Sequence, residues 1–199
     1  MHAELDQILD YLMDSYCDRI GKVNLISNGT VVPCKNVLEI MKKYEMIVHI
    51  SDYTQSVDYR KKLSEVIKIF SEKDIEYYVI PNNTWKDVKY PKKEFTAKDP
   101  REHMLLCGHS THSVGNGKLY WCDPAFAAEC FTGFKAMKDD SLDLIKNKEN
   151  NSKYEATRNI LKYMLGEVNE RGYMSICEKC AGVGRDNNEI IIAGLQMDS

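Results

Sequence analysis

Over roughly its first eighty residues the chain alternates helical and strand patterns, and this alternation constrains its fold more than any other feature. Leu5, Ile8, Leu9, Leu12, Met13 and Tyr16 recur at helical spacing and predict an amphipathic helix over residues 3–18. Val23-Asn24-Leu25-Ile26-Ser27 is a short apolar strand, stopped by Asn28-Gly29. A helix over 36–44 turns Val37, Ile40 and Met41 inward, and a strand follows over 46–51. A longer helix over 57–73 buries Leu63, Val66, Ile67 and Phe70, and a strand over 75–80 closes the series. Helices and strands that alternate through short connections make neighbouring strands parallel, joined by crossover helices. The expected class is therefore α/β, either a sheet or part of a βα barrel. Three strands are few for a parallel sheet, which needs both faces covered, so the unit reads as incomplete.

The texture changes at Pro91. Residues 91–100 are polar and aperiodic and read as a linker, so two domains are expected, 1–90 and 91–199. In the second, Gly115-Asn116-Gly117 predicts a hairpin, because Asn-Gly supplies the positive φ angles of a tight turn. Lys118-Leu119-Tyr120-Trp121 is its second strand and delivers Cys122 at its end. Residues 152–167 read as a helix with Ile160, Leu161 and Met164 inward, and 189–193 as a last strand. The charged run from Lys146 to Lys153 reads as a solvated loop or helix end.

Composition excludes several function classes. The 27 basic and 30 acidic residues balance, leaving no field to attract nucleic acid. No apolar run is long enough to span a membrane, and Met1-His2-Ala3-Glu4-Leu5-Asp6 lacks the layout of a signal peptide. A cytoplasmic protein with no nucleic-acid or membrane partner is expected. Phosphate-binding loops, nucleophile elbows and dinucleotide fingerprints are missing. The cysteine count, seven, is odd, and cytosolic thiols stay reduced, so metal binding or burial is expected rather than a disulfide scaffold.

Four of the cysteines form two groups, Cys107-x9-Gly117-x4-Cys122 and Cys177-Glu178-Lys179-Cys180. Four thiolates are the ligand set of tetrahedral zinc or of an iron–sulfur cluster. A hairpin aims one pair into a common space, and the distant pair closes over it. The first pair is separated by 14 residues and the two pairs by 54, which argues against a simple zinc ribbon with a knuckle on each half. Among the remaining candidates, Cys17 and Cys34 read as structural. Cys130 reads as a small buried hydrophobe, with an alternate ligand as the other reading. His109 and His112 read as solvated loop residues, and Trp85, Trp121, Tyr77 and Tyr78 as core aromatics with a substrate cavity as the other reading.

This cysteine pattern resembles the auxiliary-cluster region, called SPASM or in its shorter form twitch, of radical S-adenosylmethionine (SAM) enzymes. Asn116-Gly117-Lys118-Leu119-Tyr120-Trp121-Cys122 is similar to that family's "dGkvypC" stretch. Leu25-Ile26-Ser27-Asn28-Gly29-Thr30 is similar to its "TNGT" strand end, and Ile50-Ser51-Asp52-Tyr53 to its "ISDY". Trp85-Lys86-Asp87 matches a subgroup pattern. The resemblance implies a partial βα barrel half of about three parallel strands, followed by a small cysteine-rich α+β domain. It further implies one auxiliary 4Fe–4S cluster on Cys107, Cys122, Cys177 and Cys180, since no cysteine follows Cys180. Ser27, Asn28, Ser51 and Asp52 become candidate SAM-side residues; as bare sequence they also read as an ordinary turn and a helix cap.

The family's Cys-x3-Cys-x2-Cys motif, which holds the SAM-cleaving cluster, has no counterpart here, and neither has its "GGEP" segment. The start Met1-His2-Ala3-Glu4-Leu5 matches the stretch that follows "GGEP", so the chain is expected to be an N-terminally truncated member. The resemblance then implies a parent activity of SAM-dependent radical modification of a peptide, sugar or small metabolite. It implies no such activity alone, with SAM bound only when the N-terminal half is supplied as a separate chain. The competing expectations are a zinc-stabilised four-cysteine binding module without catalysis, and a decayed remnant that folds poorly.

Overall fold

A computed structural model of the chain describes residues 2–91, 93–108, 111–167, 169–184 and 187–194. It is mixed α/β, with seven α-helices and eight short strands among those residues. The chain divides into two compact units, Met1–Trp85 with Ile192–Ser199, and Lys86–Ile191.

The first unit follows the alternating pattern: α1 (Leu5–Tyr16), β1 (Asn24–Ser27), α2 (Lys35–Lys43), β2 (Ile47–Asp52), α3 (Arg60–Glu72) and β3 (Tyr77–Pro81). The three strands form a parallel sheet in the order β1-β2-β3. Both α2 and α3 end on a left-handed residue, Glu45 and Asp74. The next amide then reaches back into the helix, Met46 N–H to the Met41 carbonyl and Ile75 N–H to the Phe70 carbonyl, both at 2.9 Å. These are glycine-type helix stops made without glycine, and they turn the chain directly into a strand.

Side chains alternate across a strand, so the register separates two faces. Val48 and Ile50 point into one core with Leu9 and Met13 of α1, Val37, Leu38 and Met41 of α2, and Leu63, Val66 and Phe70 of α3. The row Ile26, His49, Tyr78 points the other way. Ile26 is 81% exposed and Tyr78 51%, and the His49 ring stacks on Tyr78 at 5.6 Å. One face of a parallel sheet is thus covered by helices, and its opposite face carries exposed apolar residues.

After β4 (Thr84–Lys86), the second unit contains α4 (Pro100–Leu106), β5 (Ser113–Gly115), β6 (Lys118–Tyr120) and α5 (Asp123–Phe131). Next come β7 (Ser141–Asp143), α6 (Leu144–Asn150), α7 (Lys153–Met164) and a 3-10 turn (Ser175–Glu178); β8 (Ile190–Ile192) runs across the boundary between the units. The expected hairpin is present: Gly115 pairs with Lys118 around Asn116 and Gly117, both at positive φ. Strand β7 adds to β6 to complete an antiparallel sheet of three. The core gathers Met104, Leu119, Ala125, Ala128, Tyr163, Met174 and Ile176 around Cys122 and Cys180.

Three helices here are not expected from periodicity. Pro100, which reads in the sequence as the end of a linker, opens α4; Asp99 caps it by accepting from the Arg101 and Glu102 amides at 2.9 and 3.1 Å. Helix α5 starts at Asp123-Pro124 and lacks a clear amphipathic stripe. The charged run of 146–153 is mostly the body of α6, followed by a capping box at Ser152 and Glu155 that starts α7. Helix α7 also turns differently from expectation: Tyr163 is its buried residue, while Leu161 and Met164 are exposed. No helix among the described residues is long and apolar enough to cross a membrane.

Candidate functional site

Two of the four paired cysteines cap helices, and the other two lie in and just after a 3-10 turn. Cys107 is the C-cap of α4, and Cys122 is the N-cap of α5, reached directly from the hairpin strand β6. Cys177 lies in the 3-10 turn, and Cys180 follows it with its amide bonded to the Ile176 carbonyl at 3.0 Å. Together with Met104, Trp121, Pro124, Ile176 and Val183 they line one cavity of about 20 Å³. Only Cys122 is delivered by the hairpin; Cys107, expected on its first arm, comes instead from the end of α4, and the four thiols share the lining of this one cavity.

The electrostatics of the cavity favour neutral thiols unless a cation is present. Burial, with a smaller push from the neighbouring cysteines, moves the Cys122 thiol well up, Cys177 up to about 12 and Cys180 up to about 11. Small offsets come from the backbone. The Gly182 amide donates to the Cys180 Sγ at 3.3 Å, and the Ala125 amide favours the Cys122 thiolate. Thiols with such costs of ionisation become thiolates when a metal supplies the countercharge.

Two glycines let the loop after Cys180 close over the site. Gly182 is left-handed, and a β-carbon there would stand 3.0 Å from the Cys107 Sγ and 3.3 Å from the His103 Nε2. A β-carbon at Gly184 would meet the Leu106 carbonyl oxygen at 2.5 Å. Side chains at either position would push the loop off α4. The donor set therefore fits a thiolate-held metal in kind. Among the described residues, however, no three His, Cys, Asp or Glu side chains are gathered closely enough to hold a single ion as they stand.

The other candidates separate cleanly. Cys17 and Cys34 are exposed at the end of α1 and the start of α2, so burial does not account for them. Cys130 is half-buried and accepts from the Asn116 side chain at 3.4 Å, and it does not line the thiol cavity. His112 is tied down rather than solvated: its Nδ1–H donates to the Trp121 carbonyl at 2.9 Å. His109 lies outside the described residues. Trp121 reaches the thiol cavity, whereas Trp85 is 44% exposed and packs T-shaped with Tyr53.

Of the four strand-end candidates in the first unit, Ser27, Asn28 and Ser51 line a second cavity of about 390 Å³. Tyr53, Tyr59 and Trp85 form its aromatic side. Asp52 does not line it; its carboxylate accepts the Thr54 amide at 2.8 Å. Asn28 Oδ1 accepts from the Thr30 amide and hydroxyl, and Ser27 Oγ accepts the Gly29 amide, so both also serve the turn. The Tyr59 hydroxyl joins strand and loop, accepting the Tyr53 amide at 2.9 Å and donating to the Ser51 carbonyl at 3.3 Å. Its place in the cavity gave no sequence signal, since it lies eight residues beyond the strand end it supports. In comparisons with known proteins, no family model and no curated protein matches the chain.

Proposed function

We propose that the chain is a radical SAM/SPASM-type protein. In this reading it is a partial βα barrel half joined to a small cysteine-rich domain that binds one auxiliary 4Fe–4S cluster on Cys107, Cys122, Cys177 and Cys180. One observation carries the reading: cysteines from three separate segments line a single apolar cavity. When bound, such a cluster supplies one-electron transfer or an anchor for substrate. The chain's own part is to present four thiolates in a dry pocket and to keep water from them with Trp121, Pro124 and Val183.

The strand-end cavity is assigned to SAM and to a peptide, sugar or small-metabolite substrate. Ser27, Asn28 and Ser51 offer polar contacts there, and Asp52 holds the adjoining loop through Thr54. Because the SAM-cleaving motif has no counterpart among these residues, that chemistry is assigned to an N-terminal radical SAM half that carries it, and a separate chain is one way of supplying that half. The exposure of Ile26 and Tyr78 on the open sheet face supports a further covering layer, since parallel sheets are stable with both faces covered.

A second reading, a four-cysteine zinc module without catalysis, is favoured by the size of the cavity. About 20 Å³ is the room of one water-sized sphere, so a single ion needs only that the thiols draw in around it, whereas a cubane needs them to move apart. Anaerobic loading of the full chain with iron and sulfide, or with zinc, separates the two. The cluster reading expects visible absorption and about four irons per chain, lost in the Cys177→Ala/Cys180→Ala variant. One tightly held zinc with no iron uptake establishes the module instead.

A further inference from the structure

We propose that His103 and Asn187 are positioning residues of the thiol site, clamping the loop that carries Cys180 against α4. The inference rests on the metal-site reading above and goes beyond its four ligands. His103 stands four residues before Cys107 on α4, so the two side chains share a helix face. Its Nε2 lies 2.8 Å from the Cys180 carbonyl oxygen. A carbonyl can only accept, so Nε2 carries the proton and donates it. The bond ties the backbone of one ligand to the helix that ends in another.

Asn187 holds the same loop from the other side. It is buried, and every polar atom of its side chain is used. Nδ2 donates to the Gly182 carbonyl at 2.7 Å and to the Asp87 carbonyl at 2.9 Å, while Oδ1 accepts the Glu189 amide at 3.1 Å. This fixes the Gly182 residue whose own amide donates to the Cys180 Sγ. Three atoms around Cys180 are therefore pinned: its carbonyl by His103, its sulfur by Gly182, and the Gly182 carbonyl by Asn187. Partners outside the ligand shell that orient ligands in this way change metal affinity by about 10-fold to 100-fold when removed.

The test uses the full chain loaded with iron and sulfide or with zinc alone, and follows the rate at which a chelator strips the metal. His103→Ala is expected to speed release about tenfold or more. His103→Gln, which keeps an N–H donor, is expected to recover most of the loss. Asn187→Ala is expected to speed release as well and, in the iron-loaded protein, to shift the reduction potential by loosening the N–H···S bond. Melting of each metal-free variant separates positioning from folding. If Asn187→Ala does not melt cooperatively, the His103 pair decides. Wild-type release rates in a folded His103→Ala protein overturn the proposal and leave the metal-site reading standing. A wild-type chain that takes up neither metal overturns both.

Discussion

Gly182 and Cys107 approach so closely that a single added methyl would stand 3.0 Å from the Cys107 sulfur. Gly182 is also left-handed, at φ 70°, so two separate costs fall on any substitution there. Gly133 has nearly the same backbone angle, φ 72°, with nothing within 4 Å of its would-be β-carbon. Comparing the two isolates the contact from the strain. Gly133→Ala should cost about 1 kcal/mol, the left-handed penalty alone. Gly182→Ala should cost more in thermal melting and should also lower metal uptake, which Gly133→Ala should leave intact. Equal losses from both variants would show that the loop is not packed on the thiol.

The cysteines should divide by reactivity in metal-free protein. Cys17 and Cys34 are exposed, while Cys122 and Cys180 are buried and burial holds their thiols neutral. The thiolate is the nucleophile, so iodoacetamide at about pH 8, near the ordinary thiol pKa, should modify the exposed pair first. Peptide mass spectrometry over a time course reads this directly. Early modification of Cys122 or Cys180 would mean that the cavity opens readily.

Much of the first unit was legible because its signals repeat. The helical stripes of α1 to α3 and the apolar runs of β1 to β3 each span several turns or alternations. The Asn116-Gly117 hairpin was legible for another reason: two adjacent positive φ angles select those residues. Helices α4 and α6, at seven residues each, are too short for periodicity to register and announce themselves only through the caps Asp99 and Asp143. The clamps were invisible in principle. His103 meets its partner across 77 positions, and Asn187 ties Gly182, five residues back, to Asp87, 100 back; neither residue type in isolation points to a partner that distant. The thiol set was readable as chemistry from spacing, but its closeness depends on two glycines whose contacts only the fold creates.

Acid should weaken the second unit through Asp87. The Lys93 ammonium beside it, helped by the Lys89 amide, holds the Asp87 carboxyl below the usual carboxylate range. A pKa depressed by folding means that the unfolded chain binds the proton more readily. The pair's contribution is complete above the unfolded value of about 3.9 and is lost as pH falls through the lower, folded one. Asp87→Asn should therefore be less stable than wild type at neutral pH, with the difference shrinking below about pH 4. Denaturant melts at about pH 7 and about pH 3, on either side of that value, check this; a gap that widens in acid would reverse the sign.

The open face of the parallel sheet sets the last expectation. Strand order places β1 at an edge, and Ile26 on it is 81% exposed beside His49 and Tyr78. An edge strand with apolar residues on an uncovered face is a template for association. Ile26→Lys should therefore suppress light scattering at high concentration while changing stability by no more than about 0.5 kcal/mol, as at other exposed sites. Ile50, adjacent in the sheet but fully buried on the helix side, provides the contrast. Ile50→Lys puts an unpaired charge into the core of α1, α2 and α3 and should abolish cooperative folding. If Ile26→Lys unfolds the protein as Ile50→Lys does, the face is packed in solution and needs no partner to cover it. If it suppresses the scattering and leaves the melt unchanged, the face is free in solution.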